Sequence, residues 1–117
     1  MNDSPDTYQT PAGEPAELEI VSGPYDGKII VIERSPCVIG RNTEDLTLAL
    51  DWDRQVSHRH AEIRWRDGQW WICDLGSANG IEIGDKTLIR NQEASLPYET
   101  VIGIGHTDLI LRQHENE

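Results

Sequence analysis

The sequence predicts an all-β sandwich, and three observations carry that prediction. Apolar residues recur with a period of two, turn dipeptides separate the apolar runs, and about ten short strands follow one another at roughly 8–12-residue spacing. Leu46, Leu48, Leu50 and Trp52 alternate with Thr47, Ala49 and Asp51, and Ala61, Ile63 and Trp65 alternate with Glu62, Arg64 and Arg66. Trp71, Cys73 and Leu75 share one face, and Leu109 and Leu111 share another. Strict alternation marks half-buried strands. Residues 41–67 contain neither Gly nor Pro, but their alternation argues against a helix.

In chain order, residues 1–17 read as a flexible acidic tail. Between Met1 and Ala16 only Met1, Tyr8, Ala12 and Ala16 are apolar, too few to offset the entropy of ordering. The folded domain is expected over 18–112 as some 10–11 short, mostly antiparallel strands. Asp26-Gly27, Asp67-Gly68, Asn79-Gly80 and Gly84-Asp85 fall between apolar runs, where left-handed backbone angles are needed. Asp67-Gly68, between Glu62–Arg66 and Gln69–Asp74, is a hairpin signal. Residues 113–117 read as a second, shorter tail.

The 117 residues suit one domain. Ten Lys and Arg against 21 Asp and Glu give a formal charge of −11, which disfavours nucleic acid and anionic membranes as partners. No apolar run approaches the roughly 18 residues of a membrane span, so no membrane insertion is expected. The N-terminus has neither basic region nor apolar stretch, so no signal peptide is expected and the cytoplasm is the expected compartment. Phe is absent, and four Trp supply large buried surface instead. Cys37 and Cys73 make neither a disulfide framework nor a zinc quartet, and are expected buried and reduced.

Three clusters fall where strands meet loops: Val38-Ile39-Gly40-Arg41-Asn42, Val56-Ser57-His58-Arg59-His60-Ala61 and Asp74-Leu75-Gly76-Ser77-Ala78-Asn79-Gly80. They spell Gly-Arg, then Ser-x-x-His, then Ser-x-Asn-Gly. In this order and spacing the clusters resemble the forkhead-associated (FHA) domain, a β-sandwich that reads phosphothreonine in partner proteins. The resemblance runs from Leu18 to Arg112 and includes the Asp45-Leu46-x-Leu48 step and the Val101-Ile102-Gly103-Ile104-Gly105 segment.

The resemblance implies a function and a division of labour. The chain would be a non-catalytic, phosphothreonine-dependent interaction module in Ser/Thr kinase signalling. Its partners would be a phosphothreonine protein or peptide, a Ser/Thr protein kinase or the kinase's substrates. Arg41 and Ser57 match positions that contact phosphate. Arg59 matches one that contacts the phosphate or the peptide backbone, and Asn79 the one that fixes the peptide main chain. Gly40 and His60 match positions that shape and brace the loops, with Gly80 beside them in support. The chemistry agrees: phosphothreonine carries about −1.5 to −2 charges and three acceptor oxygens, which call for a guanidinium, a hydroxyl and oriented N–H groups.

The sequence also departs from the pattern. His58 stands where Arg, Asn or Lys is common and would add positive charge when protonated. Ala78 replaces a Ser or Thr, removing a hydroxyl, and Ile81 replaces a Thr. These departures keep open a second reading, a phosphate-independent scaffolding module that uses a sheet face or an exposed Trp. His58 and His60 would face the same way on a strand, but two ligands without a third do not make a metal site. No cofactor and no metal are expected. Ser57, His60 and Asp74 are the residue types of a hydrolase triad, but nothing resembles a nucleophile elbow or an oxyanion hole. Thr7 and Thr10 resemble tail threonines that, in some small bacterial FHA proteins, are phosphorylated and dock on their own domain.

Overall fold

A computed structural model of the chain describes residues 8–9, 16–42 and 48–114. Thirteen strands are described: β1 (Tyr8–Gln9), β2 (Ala16–Ile20), β3 (Ile29–Ile32), β4 (Arg34–Ser35), β5 (Cys37–Gly40), β6 (Leu48–Ala49), β7 (Ala61–Arg66), β8 (Gln69–Asp74), β9 (Ile81–Ile83), β10 (Lys86–Leu88), β11 (Glu93–Ser95), β12 (Val101–Ile104) and β13 (Thr107–Gln113). Eleven of them form two sheets, of order β10-β9-β12-β13-β2-β3 and β11-β8-β7-β5-β6, while β1 and β4 pair separately. All pairings are antiparallel except β5 with β6. The fold is the expected all-β sandwich. Among the described residues no helix is long and apolar enough to cross a membrane.

The inward residues follow the period of two. Leu18 and Ile20 on β2, Ile63 on β7, Ile72 on β8, Ile102 and Ile104 on β12 and Leu109 and Leu111 on β13 are all fully buried between the sheets. Each such side chain contributes roughly 1.5–3 kcal/mol on leaving water. The tight turn is also where the dipeptide placed it. Asp67 (φ 56°) and Gly68 (φ 79°) both adopt the left-handed angles a two-residue hairpin requires, and Arg66 pairs with Gln69 across it. Trp70 points into the core against Trp65, ring centroids 5.3 Å apart, whereas Trp71 faces outward with the Arg66 guanidinium 4.5 Å above its ring.

Several expectations need correction. Strand pairing begins before residue 18: β2 starts at Ala16, fully buried, where Ala16 and Glu17 pair with Gln113 and Arg112. Within the expected tail, Tyr8–Gln9 pairs with Arg34–Ser35. At the other end Gln113 belongs to β13 and His114 bonds Glu17 through Nδ1, 2.9 Å. Thr7 and Thr10, like Asp45 and Leu46, lie outside the described residues. Of the alternating residues Leu46 to Trp52, the described part holds the two-residue strand Leu48–Ala49. After Leu50 the chain turns: the Asp53 N–H bonds the Leu50 carbonyl, and Trp52 packs at a tilt against Tyr25 with ring centroids 4.4 Å apart. Cys37 is buried as expected, but Cys73 is only half-buried.

Register places the loops. Ile39 pairs with Ala61 and Ala61 with Asp74, so the chain leaving β5, the chain entering β7 and the chain leaving β8 emerge together at one end of the five-stranded sheet. Truncating the core beneath them tests this packing. Ile63→Ala is expected to cost about 2–5 kcal/mol in urea unfolding with an unchanged m-value, as for other large-to-small changes in close-packed cores. A loss under 1 kcal/mol would mean that the two sheets are not tightly packed at this point.

Candidate functional site

The three loops are joined mainly through main-chain groups. The Arg41 N–H donates to the Ser57 carbonyl at 2.9 Å, and the Leu50 N–H to the Gly40 carbonyl at 2.7 Å. Gly40 has to be glycine: a Cβ there would lie 2.0 Å from the His58 carbonyl oxygen. That close approach presents Arg41 at the rim of the loop holding Ser57, His58 and Arg59.

His60 links this loop to the next. Its ring is fully buried; Nδ1 accepts the Ser57 N–H at 3.0 Å, and Nε2 lies 2.7 Å from the Gly80 carbonyl. An acceptor at Nδ1 and a carbonyl at Nε2 require the tautomer that carries its proton on Nε2. His60 and His58 do not face the same way, for His60 is buried and His58 exposed, with no strand between them. Among the described residues no group of three metal-ligating side chains exists.

The third loop is built around Asp74. Its buried carboxylate accepts the N–H groups of Gly76, Ser77 and Arg90, each at 2.9 Å, and the Ser77 hydroxyl. Ser77 Oγ in turn accepts the Gly80 N–H at 2.8 Å. The result is a closed turn that holds Ala78 and Asn79 outward. Gly80 adopts φ 77°, and a Cβ on it would meet the Leu88 carbonyl at 2.9 Å. Sequence reasoning gave Asp74 and Ser77 no site role, although Asp-x-Gly-Ser is a strong turn signal.

Two contacts fix the donors and acceptors presented to solvent. Ser57 Oγ accepts the Ala78 N–H at 3.0 Å, so its own proton remains to be donated. Asn79 Nδ2 donates to the carbonyl oxygen of Gln55 (2.9 Å) and to its Oε1 (3.2 Å), so Asn79 Oδ1 remains as an acceptor. Gln55 was not singled out by the sequence, since nothing marks a loop Gln as the support of an Asn 24 residues away. Arg41 is half-buried, and its Nε is buried without a hydrogen-bond partner among the described residues. His58 and Arg59 are exposed on the adjoining loop.

Beneath Gln55, Asp53 fastens this end of the sandwich. It is buried, and its carboxylate accepts the N–H groups of Gln55 (3.0 Å) and His106 (2.8 Å) and the Thr107 hydroxyl (2.6 Å). Burial by itself pushes the carboxyl pKa up. The Thr107 hydroxyl, the two backbone bonds and the nearby His106 together outweigh it and hold the pKa below the ordinary 3.8. A lowered carboxylate stabilises the fold above its unfolded pKa of about 3.9, and that contribution is lost as pH falls through the folded value. Thr107→Val is therefore expected to cost about 1–3 kcal/mol at pH 7, with the gap to the parent narrowing in acid. Urea midpoints at pH 7 and near pH 2 measure it, and a gap unchanged in acid would assign the loss to packing alone.

Comparison with known proteins agrees with this geometry. The family model for the FHA domain matches residues 37–105, which include all three loops. FhaB of Mycobacterium tuberculosis, an FHA domain-containing protein, is 35% identical over 95 residues, 81% of this chain. The chain spans 59% of FhaB's length. A structure solved for phosphothreonine-dependent FHA domain interactions superposes with a TM-score of 0.73 at 31% identity, covering 87% of this chain and 99% of that one. The FhaA FHA domain, solved in complex with the intracellular domain of Rv3910, gives a TM-score of 0.71 at 32% identity, covering 83% and 99%. With a β-sandwich of this order, these loops and these matches, the chain belongs to the FHA domain family.

Proposed function

We propose that this chain is a phosphothreonine-dependent protein–protein interaction module with no catalysis of its own. The observation that carries the reading is Arg41, whose Nε is buried and unpartnered beside a serine hydroxyl free to donate. Leaving such a donor unsatisfied costs about 1–3 kcal/mol, and a phosphate oxygen would relieve it with a charge-assisted bond. Arg41 would fork onto the phosphate, Ser57 would donate its hydroxyl, and Arg59 and His58 would close over the remaining oxygens. Asn79 would accept a main-chain N–H of the extended peptide through Oδ1. Gly40, His60 and Gly80 hold the loops and touch no ligand. Because phosphothreonine is made by Ser/Thr kinases, the partners are such a kinase or its substrates, and the setting is Ser/Thr kinase signalling. The solved FHA structures of phosphothreonine-dependent interactions support the same chemistry.

Calorimetric titration with a phosphothreonine peptide library, its phosphoserine counterpart and the unphosphorylated peptides tests the reading. Binding is expected near micromolar Kd, about −8 kcal/mol, and only for phosphothreonine. Arg41→Ala and Ser57→Ala are each expected to abolish it while thermal unfolding stays cooperative. Retained affinity in both variants, or equal binding without phosphate, overturns the reading in favour of a phosphate-independent scaffold.

A further inference from the structure

Among the described residues few large apolar side chains stand exposed. Ile29, Val31 and Val101 lie on the six-stranded sheet, Tyr25 packs on Trp52, and Ile89, 47% exposed, stands at the loop end. A single exposed aliphatic is ordinary on a protein surface. Ile89 differs in how it is held and in where it stands.

Residues 89–92 join β10 to β11 by a tight turn fastened to Asp74. The Gln92 N–H donates to the Ile89 carbonyl and the Ile89 N–H to Gln92 Oε1, both at 3.0 Å. Arg90 (φ 45°) and Asn91 (φ 68°) are both left-handed, as a type I′ turn requires. Their N–H groups donate to the Asp74 carboxylate and the Asp74 carbonyl, each at 2.9 Å, and the Asp74 N–H donates to the Gln92 carbonyl at 3.0 Å. The carboxylate that shapes the Ser77–Gly80 turn therefore shapes this one too. An apolar group fixed in advance loses little freedom on binding.

Sheet order gives its place. β5, β7, β8 and β11 are successive neighbours, and the segments joined to them at the loop end carry Arg41, Ser57, Asn79 and Ile89 in that order. The Arg41 N–H bonds the Ser57 carbonyl, and the Ala78 N–H bonds Ser57 Oγ. Asn79 adjoins Ile89 through Gly80, since a Cβ on Gly80 would lie 3.2 Å from Ile89 Cγ2. Neighbouring strands lie about 4.8 Å apart, so Ser57 and Ile89, two strands apart, are separated by roughly 10 Å along this row. About three residues of extended peptide cover the same span.

We propose, resting on the phosphothreonine reading above, that Ile89 selects an aliphatic residue two or three positions from the phosphothreonine, on the arm of the peptide that passes Asn79. The occupant follows from continuity. A peptide whose phosphate sits on Arg41 and Ser57, and whose main chain is held at Asn79, meets Ile89 next in line. The chemistry follows from what residue 89 has left to offer. Its N–H and its carbonyl are both taken by Gln92, so the contact is through methyl groups alone.

Fluorescence anisotropy with phosphothreonine peptides of otherwise Ser and Ala sequence tests this, Leu being placed in turn at each of the three positions on either side. On one arm, Leu two or three positions away is expected to tighten binding about fivefold to tenfold over Ala, the effect of half-burying its three extra carbon atoms. In Ile89→Ala the ratio between the Leu and Ala peptides is expected to fall to near one, and in Ile89→Val to be largely kept. Arg41→Ala is expected to abolish binding of every peptide. A parent ratio near one at positions two and three on both arms, or a ratio that Ile89→Ala leaves as it was, overturns the proposal and leaves phosphothreonine binding standing. So does a loss in Ile89→Ala that is equal for all peptides, which would make Ile89 a support of the Gly80 loop. A parent that binds no phosphothreonine peptide overturns both readings.

Discussion

The imidazole of His60 is the point at which the loop end of this molecule is fastened. Its ring holds the Ser57 N–H on one side and the Gly80 carbonyl on the other, while its main chain bonds Ile39 through the N–H and Leu75 through the carbonyl. One buried residue thus ties together the end of β5, the loop before β7 and the loop after β8. A carboxylate could not replace it, because the site needs a donor as well as an acceptor. With the ring removed, two buried polar groups lose their partners, and the loops that carry Ser57 and Asn79 lose their common reference. The position of Ser57 relative to Ala78, and hence the Ala78 N–H to Ser57 Oγ bond, depends on it.

Charge on this protein is arranged locally, not globally. Arg64, Arg66 and Arg112 are engaged with Glu62, Glu93, Glu19 and Glu99, and their cationic charge is balanced where it stands. Arg41, Arg54 and Arg59 lie on the loop end and are engaged in no ion pair among the described residues. At physiological ionic strength the Debye length is about 8 Å, so carboxylates at the far end of a molecule 38 Å long are felt weakly there. An acidic chain can therefore present a cationic end.

Much of this was legible in the sequence, for identifiable reasons. Hairpin chemistry is local, so Asp67-Gly68 fixed its turn type and the register of β7 against β8 without help from distant residues. The Gly40, Ser57, His60 and Asn79 clusters were legible because their spacing follows strand length. What stayed hidden depends on tertiary contacts. Leu46 to Trp52 has the alternation of a strand, yet the chain turns after Leu50, because Asp53 collects donors from Gln55, His106 and Thr107. Those last partners lie more than fifty residues away, beyond the reach of any periodicity. Gln55 was missed for the same reason. Ala16 and Glu17 resemble the polar segment before them, and only their pairing with β13 and β3 shows them to be strand.

The departures at His58 and Ala78 weigh less once the geometry is considered. Ala78 lacks the hydroxyl its family position often carries, but its backbone N–H is engaged with Ser57 Oγ. That bond occupies an acceptor lone pair of the serine and polarises its O–H toward solvent, so residue 78 contributes through the main chain, which any side chain but proline would allow. Ala78 therefore removes one possible ligand contact without disturbing the group next to it. His58 lies exposed on a loop whose shape is set by Gly40 beneath it and His60 behind it, so its identity alters charge at the rim and not the frame. The frame rests on buried residues, and the rim residues can vary without disturbing it.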